Sequence, residues 1–295
     1  MPSAQAQALI EHLRAQPDKS RMPVEALREA LEASTAGEAL PPDLTHTPVD
    51  AGGVPAEWSA LPGSAADAVL LALHGGGYYR GSVAGYRPFV ARLVAATGTR
   101  ALSVDYRLGP EHPFPAAVDD ALAAYRWLLA QGVAPARIAV AGGSAGGGLA
   151  CALLLAAREA SLPQPGAAVC LSPWVDLTQS GPTFETNAAA DPSIDKAYLD
   201  RSAELYLAGA DPTQPLASPV FGDLHGLAPL LIQVGGLETM LDEARRLADR
   251  TRAAGGEATL EVWPELFHVF QSKHIPEAHE AVARIGAYVR EKLGL

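Results

Sequence analysis

The 295-residue chain predicts an α/β fold: a mostly parallel central sheet with helices on both faces, plus a small helical cap. Three observations predict it. Apolar runs without polar alternation, such as "AVLLALH" (68–74), "RIAVAGG" (137–143) and "PLLIQVG" (229–235), mark strands buried on both faces. Amphipathic stretches separate these runs, as helical crossovers between parallel strands require. A polar, proline-rich segment over residues 176–228 interrupts the alternation, and an insertion of that length between core strands is usually functional.

Taken in order, residues 4–35 carry helical periodicity broken at Pro17 and Pro23, which predicts two short helices. Residues 44–60 read as two extended segments around a turn at Gly52-Gly53. The alternation follows: strand 68–74, helix 89–98, strand 101–106, helix 116–132 with Gly132 as its C-cap, strand 137–143, helix 147–160 and strand 167–172. The inserted segment holds one helical patch, 196–209. Strand 229–235, helix 241–256, strand 258–263 and a final helix 278–293 complete the chain. The expected division is cap helices over 1–42, core over 43–177, cap insertion over 178–228 and core again over 229–295.

Composition narrows the function classes. Hydrophobic residues make up 48% and charged residues 19%, which is globular and not disordered. The net charge of −11 argues against nucleic-acid partners and against stable membrane association, since both reward basic patches. Cys151 and Cys170 sit in apolar stretches and read as buried free thiols of a reducing compartment. No cysteine and histidine spacing suits a metal, the N-terminus lacks a signal-peptide pattern, and a cytoplasmic location is expected.

The chemistry-bearing residues fall where ligands bind in such a sheet, just past the C-terminal ends of strands. Ser144 lies in Gly142-Gly143-Ser144-Ala145-Gly146, between a strand and a helix. That is the setting of a G-x-S-x-G nucleophile elbow, although a plain glycine-rich corner would look alike in isolation. The loop "HGGGYY" opens at His74 after another strand, and its bare glycines can present amides to an oxyanion. His74 could serve as a base, but a histidine opening such a loop more often props it. A serine nucleophile needs a base and an orienting carboxylate, in the chain order serine, acid, histidine. Glu238 and His268 each follow a strand in that order; Asp242 and Glu243 rival the former, His274 and His279 the latter.

With these residues in place the chain resembles the hormone-sensitive lipase family of α/β-hydrolases, its bacterial carboxylesterases in particular. The matching segments are "HGGGYYRGS" (74–82), "DYRLGPEHPFPAA" (105–117), "GGSAGGG" (142–148), "SPWVDLT" (172–178), "GLETMLDE" (236–243) and "FHVF" (267–270). The resemblance implies Ser144 as nucleophile, Glu238 as acid and His268 as base. It also implies oxyanion donors at the amides of Gly75, Gly76 and Ala145, a cap from the N-terminal helices and the insertion, and a homodimer through the last strand and a nearby helix. Three positions depart from the family pattern: Gly143 replaces the usual aspartate before the serine, Gly109 replaces the usual alanine, and Glu238 stands where the acid is more often aspartate. An ion pair between Arg107 and Glu111 is expected within the second of these segments.

The expected activity is hydrolysis of short- to medium-chain acyl esters through an acyl-enzyme, with no metal or organic cofactor. The substrate is a small-molecule ester, and Tyr78 and Tyr79 are expected to confine it. Two alternatives stay open: the same site acting on amides, carbamates, lactones or acetylated compounds, and a ligand-binding module without catalysis.

Overall fold

The computed structural model describes residues 1–16 and 22–295, so the break expected at Pro17 lies outside the described residues. Helices α1 (Ala4–Arg14) and α2 (Val24–Thr35) come first. A hairpin follows, β1 (Thr45–Asp50) and β2 (Pro55–Ala60). The alternating core runs β3 (Ala65–Leu73), α3 (Val83–Thr97), β4 (Thr99–Val104), α4 (Ala116–Ala130), β5 (Ile138–Gly143), α5 (Ala145–Glu159) and β6 (Ala167–Leu171). The insertion contributes the single turn α6 (Thr183–Thr186) and α7 (Lys196–Leu207). The chain closes with β7 (Leu230–Gly235), α8 (Leu241–Ala253), β8 (Ala258–Trp263) and α9 (Pro276–Leu293).

Among the described residues eight strands form one sheet in the order β1-β2-β4-β3-β5-β6-β7-β8. The β1–β2 and β2–β4 pairs are antiparallel, and every pair from β4 to β8 is parallel. The central strands β5, β6 and β7 are buried along their whole length, which explains their unbroken apolar runs. Successive side chains serve two cores. Val69, Leu71, Leu73, Ile138 and Val140 pack under α4, α5, α7 and α8. Ala68, Leu70, Ala72, Ala139 and Ala141 face α3 and α9 through Phe89, Leu93, Ile285 and Val289. The small alanines on the second face let those two helices lie close to the sheet.

The structure corrects several boundaries. Helix α3 starts at Val83 rather than residue 89, because the Ser82 hydroxyl caps it by accepting from the Gly85 amide at 3.0 Å. Helix α5 starts at Ala145 rather than residue 147, so Ser144 occupies its N-cap position. The expected Arg107–Glu111 ion pair does not form. Arg107 instead pairs with Asp120 of α4 at 2.7 Å, and Glu111 pairs with Arg28 of α2 at 2.7 Å. Each partner lies on a helix brought alongside by the fold, a proximity that sequence distance conceals. The Arg28 guanidinium holds the exposed Glu111 carboxyl down at about 2.

Both N-terminal helices are fastened to the strand-end loops. Ala6 and Ile10 of α1 pack with Leu266, Phe267 and Phe270, the residues around His268. Arg28 of α2 donates to the carbonyls of Tyr79 at 2.8 Å and Gly109 at 2.9 Å. Gly109 itself lies under α7, where a Cβ would sit 2.7 Å from the Leu205 carbonyl oxygen. Restoring the family's alanine is therefore expected to destabilise this chain. Overpacking of this kind costs ~1–3 kcal/mol, so thermal unfolding of Gly109→Ala should begin several degrees lower. An unchanged melting temperature would mean that α7 moves away at no cost.

Candidate active site

Ser144 turns the chain from β5 into α5 at φ 56° and ψ −122°. A non-glycine residue held there carries ~1–3 kcal/mol of backbone strain, so the surroundings must enforce it. They do so with four hydrogen bonds. The Ser144 amide donates to Leu171 at 2.8 Å, and its carbonyl accepts from Gly147, Gly148 and Trp174 at 2.9–3.0 Å. Gly146 is sterically required, because a Cβ there would run into the carbonyl oxygens of Leu73 and His74. Gly143 is a different case. A Cβ at that position would meet the Val269 side chain first, at 3.2 Å, and then the Tyr86 hydroxyl at 3.5 Å. Val269, next to His268, thus occupies space that the family's aspartate would need.

The glycine loop leaves β3 at His74. The imidazole is buried, stacks on Tyr106 with ring centroids 4.2 Å apart, and places Nδ1 2.9 Å from the Gly75 carbonyl. Burial pushes its pKa down, and the Tyr106 hydroxyl donates to the His74 carbonyl at 2.7 Å. His74 is thus fixed beneath the loop, 2% exposed. Gly75 and Gly76 line a cavity of about 260 Å³, and their amides have no acceptor among the described residues. Gly76 sits at φ 125°, where a side chain would strain the turn. Ala145 opens α5, where first-turn amides lack intrahelical acceptors.

Tyr78 and Tyr79 do not face this cavity, contrary to the expectation that they confine substrate. Both are buried. The Tyr78 ring stacks on Tyr206 of α7 at 3.9 Å, and the Tyr79 hydroxyl donates to Tyr198 at 3.1 Å. The turn after Gly77 directs the two rings under α7, so they fasten the loop to the insertion.

Glu238 follows β7 and has no exposed surface. Its Oε2 lies 2.9 Å from His268 Nδ1. Its Oε1 accepts from the Ser172 hydroxyl at 2.7 Å and the Gly235 amide at 2.5 Å. Neither rival carboxylate reaches His268. Asp242 accepts from the Thr183 amide and from Arg245. Glu243 is buried against the amides of Val175 and Asp176, and burial together with the Asp176 charge raises its pKa. His274 is exposed beside Glu38, and His279 is exposed on α9. Ser144 and His268 line the same cavity without a direct hydrogen bond between them.

Three residues of the site carry no signal readable from spacing. Ser172 donates to Glu238 and accepts from the Val269 amide at 3.0 Å, joining the acid loop to the histidine loop. Asn187 of the insertion donates to the Glu238 carbonyl at 2.9 Å, and Asp191 accepts from the Thr239 amide at 2.8 Å. Only Ser172 had a cue, its place at a strand end within "SPWVDLT". A hydrogen bond to a charged group is worth ~1.5–3 kcal/mol, so Ser172→Ala is expected to lower kcat by about 10- to 100-fold. Steady-state kinetics on a folded variant checks this; an unchanged kcat would reduce Ser172 to a packing residue.

Among the described residues no three His, Cys, Asp or Glu side chains converge as a metal would need, and no helix is long and apolar enough to cross a membrane. Cys151 and Cys170 are free, buried and 3.5 Å apart at sulfur.

The family profile described as the alpha/beta hydrolase fold matches residues 70–272. An acetyl-hydrolase of Streptomyces hygroscopicus is 49% identical over 248 residues, covering 83% of each chain. A solved esterase of the bacterial hormone-sensitive lipase family is 46% identical over the whole of both chains, with a TM-score of 0.96. The solved structure of EstE5 soaked with p-nitrophenyl butyrate is 41% identical, with a TM-score of 0.95, over 99% of this chain and 100% of that one.

Proposed function

The chain belongs to the hormone-sensitive lipase family of α/β hydrolases and is a carboxylic ester hydrolase; on that premise we propose that it is a serine esterase working through Ser144, His268 and Glu238. The observation that carries this reading is the 2.9 Å bond between Glu238 and His268 Nδ1, with the histidine on the same cavity as Ser144. A carboxylate on Nδ1 fixes the tautomer that leaves Nε2 able to take a proton. His268 then removes the Ser144 proton as Oγ attacks the ester carbonyl. The imidazolium that forms is stabilised by Glu238.

The amides of Gly75, Gly76 and Ala145 receive the developing oxyanion. Loss of one such donor typically costs ~3–4 kcal/mol of barrier. The alcohol leaves with the proton from His268, and water activated by the same histidine releases the acid from the acyl-enzyme. The 260 Å³ cavity suits short acyl groups, as does the likeness to an acetyl-hydrolase. A dimer through β8, an edge strand of the sheet, belongs to the same reading. The test is p-nitrophenyl butyrate hydrolysis together with labelling by a serine-reactive phosphonate. Turnover with the adduct on Ser144 is expected, and an unlabelled Ser144 in the active protein would overturn the assignment.

A further inference from the structure

Among the described residues, two cations on the active-site cavity, Arg80 and Lys273, have neither an ion pair nor a side-chain hydrogen bond, and of the two only Arg80 follows the oxyanion loop. Arg80 follows the glycine loop and lines both the cavity at Ser144 and a neighbouring one of about 220 Å³. Its guanidinium lies over the rings of Tyr79 at 5.6 Å and Tyr198 at 5.2 Å. Among the described residues it has no ion-pair partner and no side-chain hydrogen bond, and its Nε is sealed from solvent without an acceptor. A buried donor left unpaired is costly and rare, and more so on a charged group.

Of the other charged groups on the cavity wall, the two carboxylates have local partners, while Lys273 has only the field of Glu38. Glu32 accepts from the Ser82 hydroxyl at 2.8 Å. Glu38 pairs with His274 at 3.1 Å and also faces Lys273, whose ammonium burial pushes down and Glu38 draws back up. The Arg80 backbone is fixed to the oxyanion loop, since its amide donates to the Gly76 carbonyl at 3.2 Å. The distance between the amides of Gly75 and Gly76 and the base of the arginine side chain is therefore set by one tight turn. The two rings, tilted 57° to each other, flank the guanidinium, and among the described residues no protein group accepts from its N–H donors. A guanidinium N–H edge matches a planar carboxylate with two parallel hydrogen bonds.

We propose that Arg80 is a specificity-determining residue that binds a carboxylate on the substrate, so that the preferred substrates are short esters carrying a negative charge away from the scissile bond. The inference rests on the serine-esterase reading above and adds the substrate class. The chemistry is unchanged by it: Arg80 binds and orients, and moves no proton.

The experiment compares charged and neutral esters of matched size with the full chain, following acid release by pH-stat. One pair is monomethyl glutarate and methyl pentanoate, with the charge on the acyl side. The other is 3-acetoxypropanoate and propyl acetate, with the charge on the alcohol side. Arg80→Met is expected to lower kcat/KM about 10- to 100-fold on at least one charged ester, mainly through KM. The neutral esters should change by less than about threefold, and Arg80→Lys should recover part of the loss as a point charge without the fork. Equal losses on charged and neutral esters would make Arg80 a support for Tyr79 and Tyr198 and overturn the proposal. So would no loss on either. Turnover of methyl pentanoate and propyl acetate by the unsubstituted protein reports on the esterase reading separately, so the two failures are distinguishable.

Discussion

Ser144→Ala is expected to abolish hydrolysis of p-nitrophenyl butyrate, with kcat falling by about 10⁴- to 10⁶-fold as for other serine hydrolases stripped of the nucleophile. The variant should still fold, because the turn is held by backbone bonds from Leu171, Gly147, Gly148 and Trp174 that do not involve the hydroxyl. Ser144→Gly separates chemistry from strain. Glycine tolerates φ 56° without a Cβ clash, which relieves ~1–3 kcal/mol, while its freer unfolded chain returns ~0.5–1 kcal/mol. That variant should be as inactive as the alanine form and melt at a higher temperature. Greater stability with lost turnover is the mark of strain kept for function. Retained turnover in either variant would remove Ser144 from the mechanism.

The strand ends were legible because they are physically simple. Apolar runs on β3, β5, β6 and β7 reflect burial on both faces, and a parallel sheet leaves its ligand-facing loops after those runs. Position therefore favoured Ser144, the glycine loop, Glu238 and His268, with Asp242, Glu243, His274 and His279 left as rivals. Side-chain direction was not legible in the same way. Tyr78 and Tyr79 neighbour the loop in sequence but turn beneath α7, because the chain reverses at Gly76 and Gly77. Contacts between distant segments were hidden altogether. Ser172 reaches Glu238 across 66 residues, and Arg28 reaches Glu111 across 83. The missing start of α3 has a local cause, a serine cap followed by a proline that breaks the helical pattern at residue 88.

Glu238→Gln should cost about 10³- to 10⁴-fold in kcat/KM, far more than removal of an ordinary hydrogen bond. The geometry explains why an isosteric amide fails. Oε1 of Glu238 receives two donors, the Ser172 hydroxyl and the Gly235 amide, and a backbone N–H cannot turn around to accept. The glutamine oxygen must take that position. Its NH₂ group then faces His268 Nδ1, which has to act as the acceptor. The ring proton moves to Nε2, and a protonated Nε2 cannot remove the proton from Ser144. Asp242→Asn, one turn further along and bonded to Thr183 and Arg245, should change kcat/KM by less than about threefold. Kinetics on the two variants decides between the carboxylates: the reverse ranking would move the acid to Asp242. Combining Ser172→Ala with Glu238→Gln sharpens the case. If Ser172 acts only by holding the carboxylate, its loss should add little once Glu238 has gone, because the pair works as one unit.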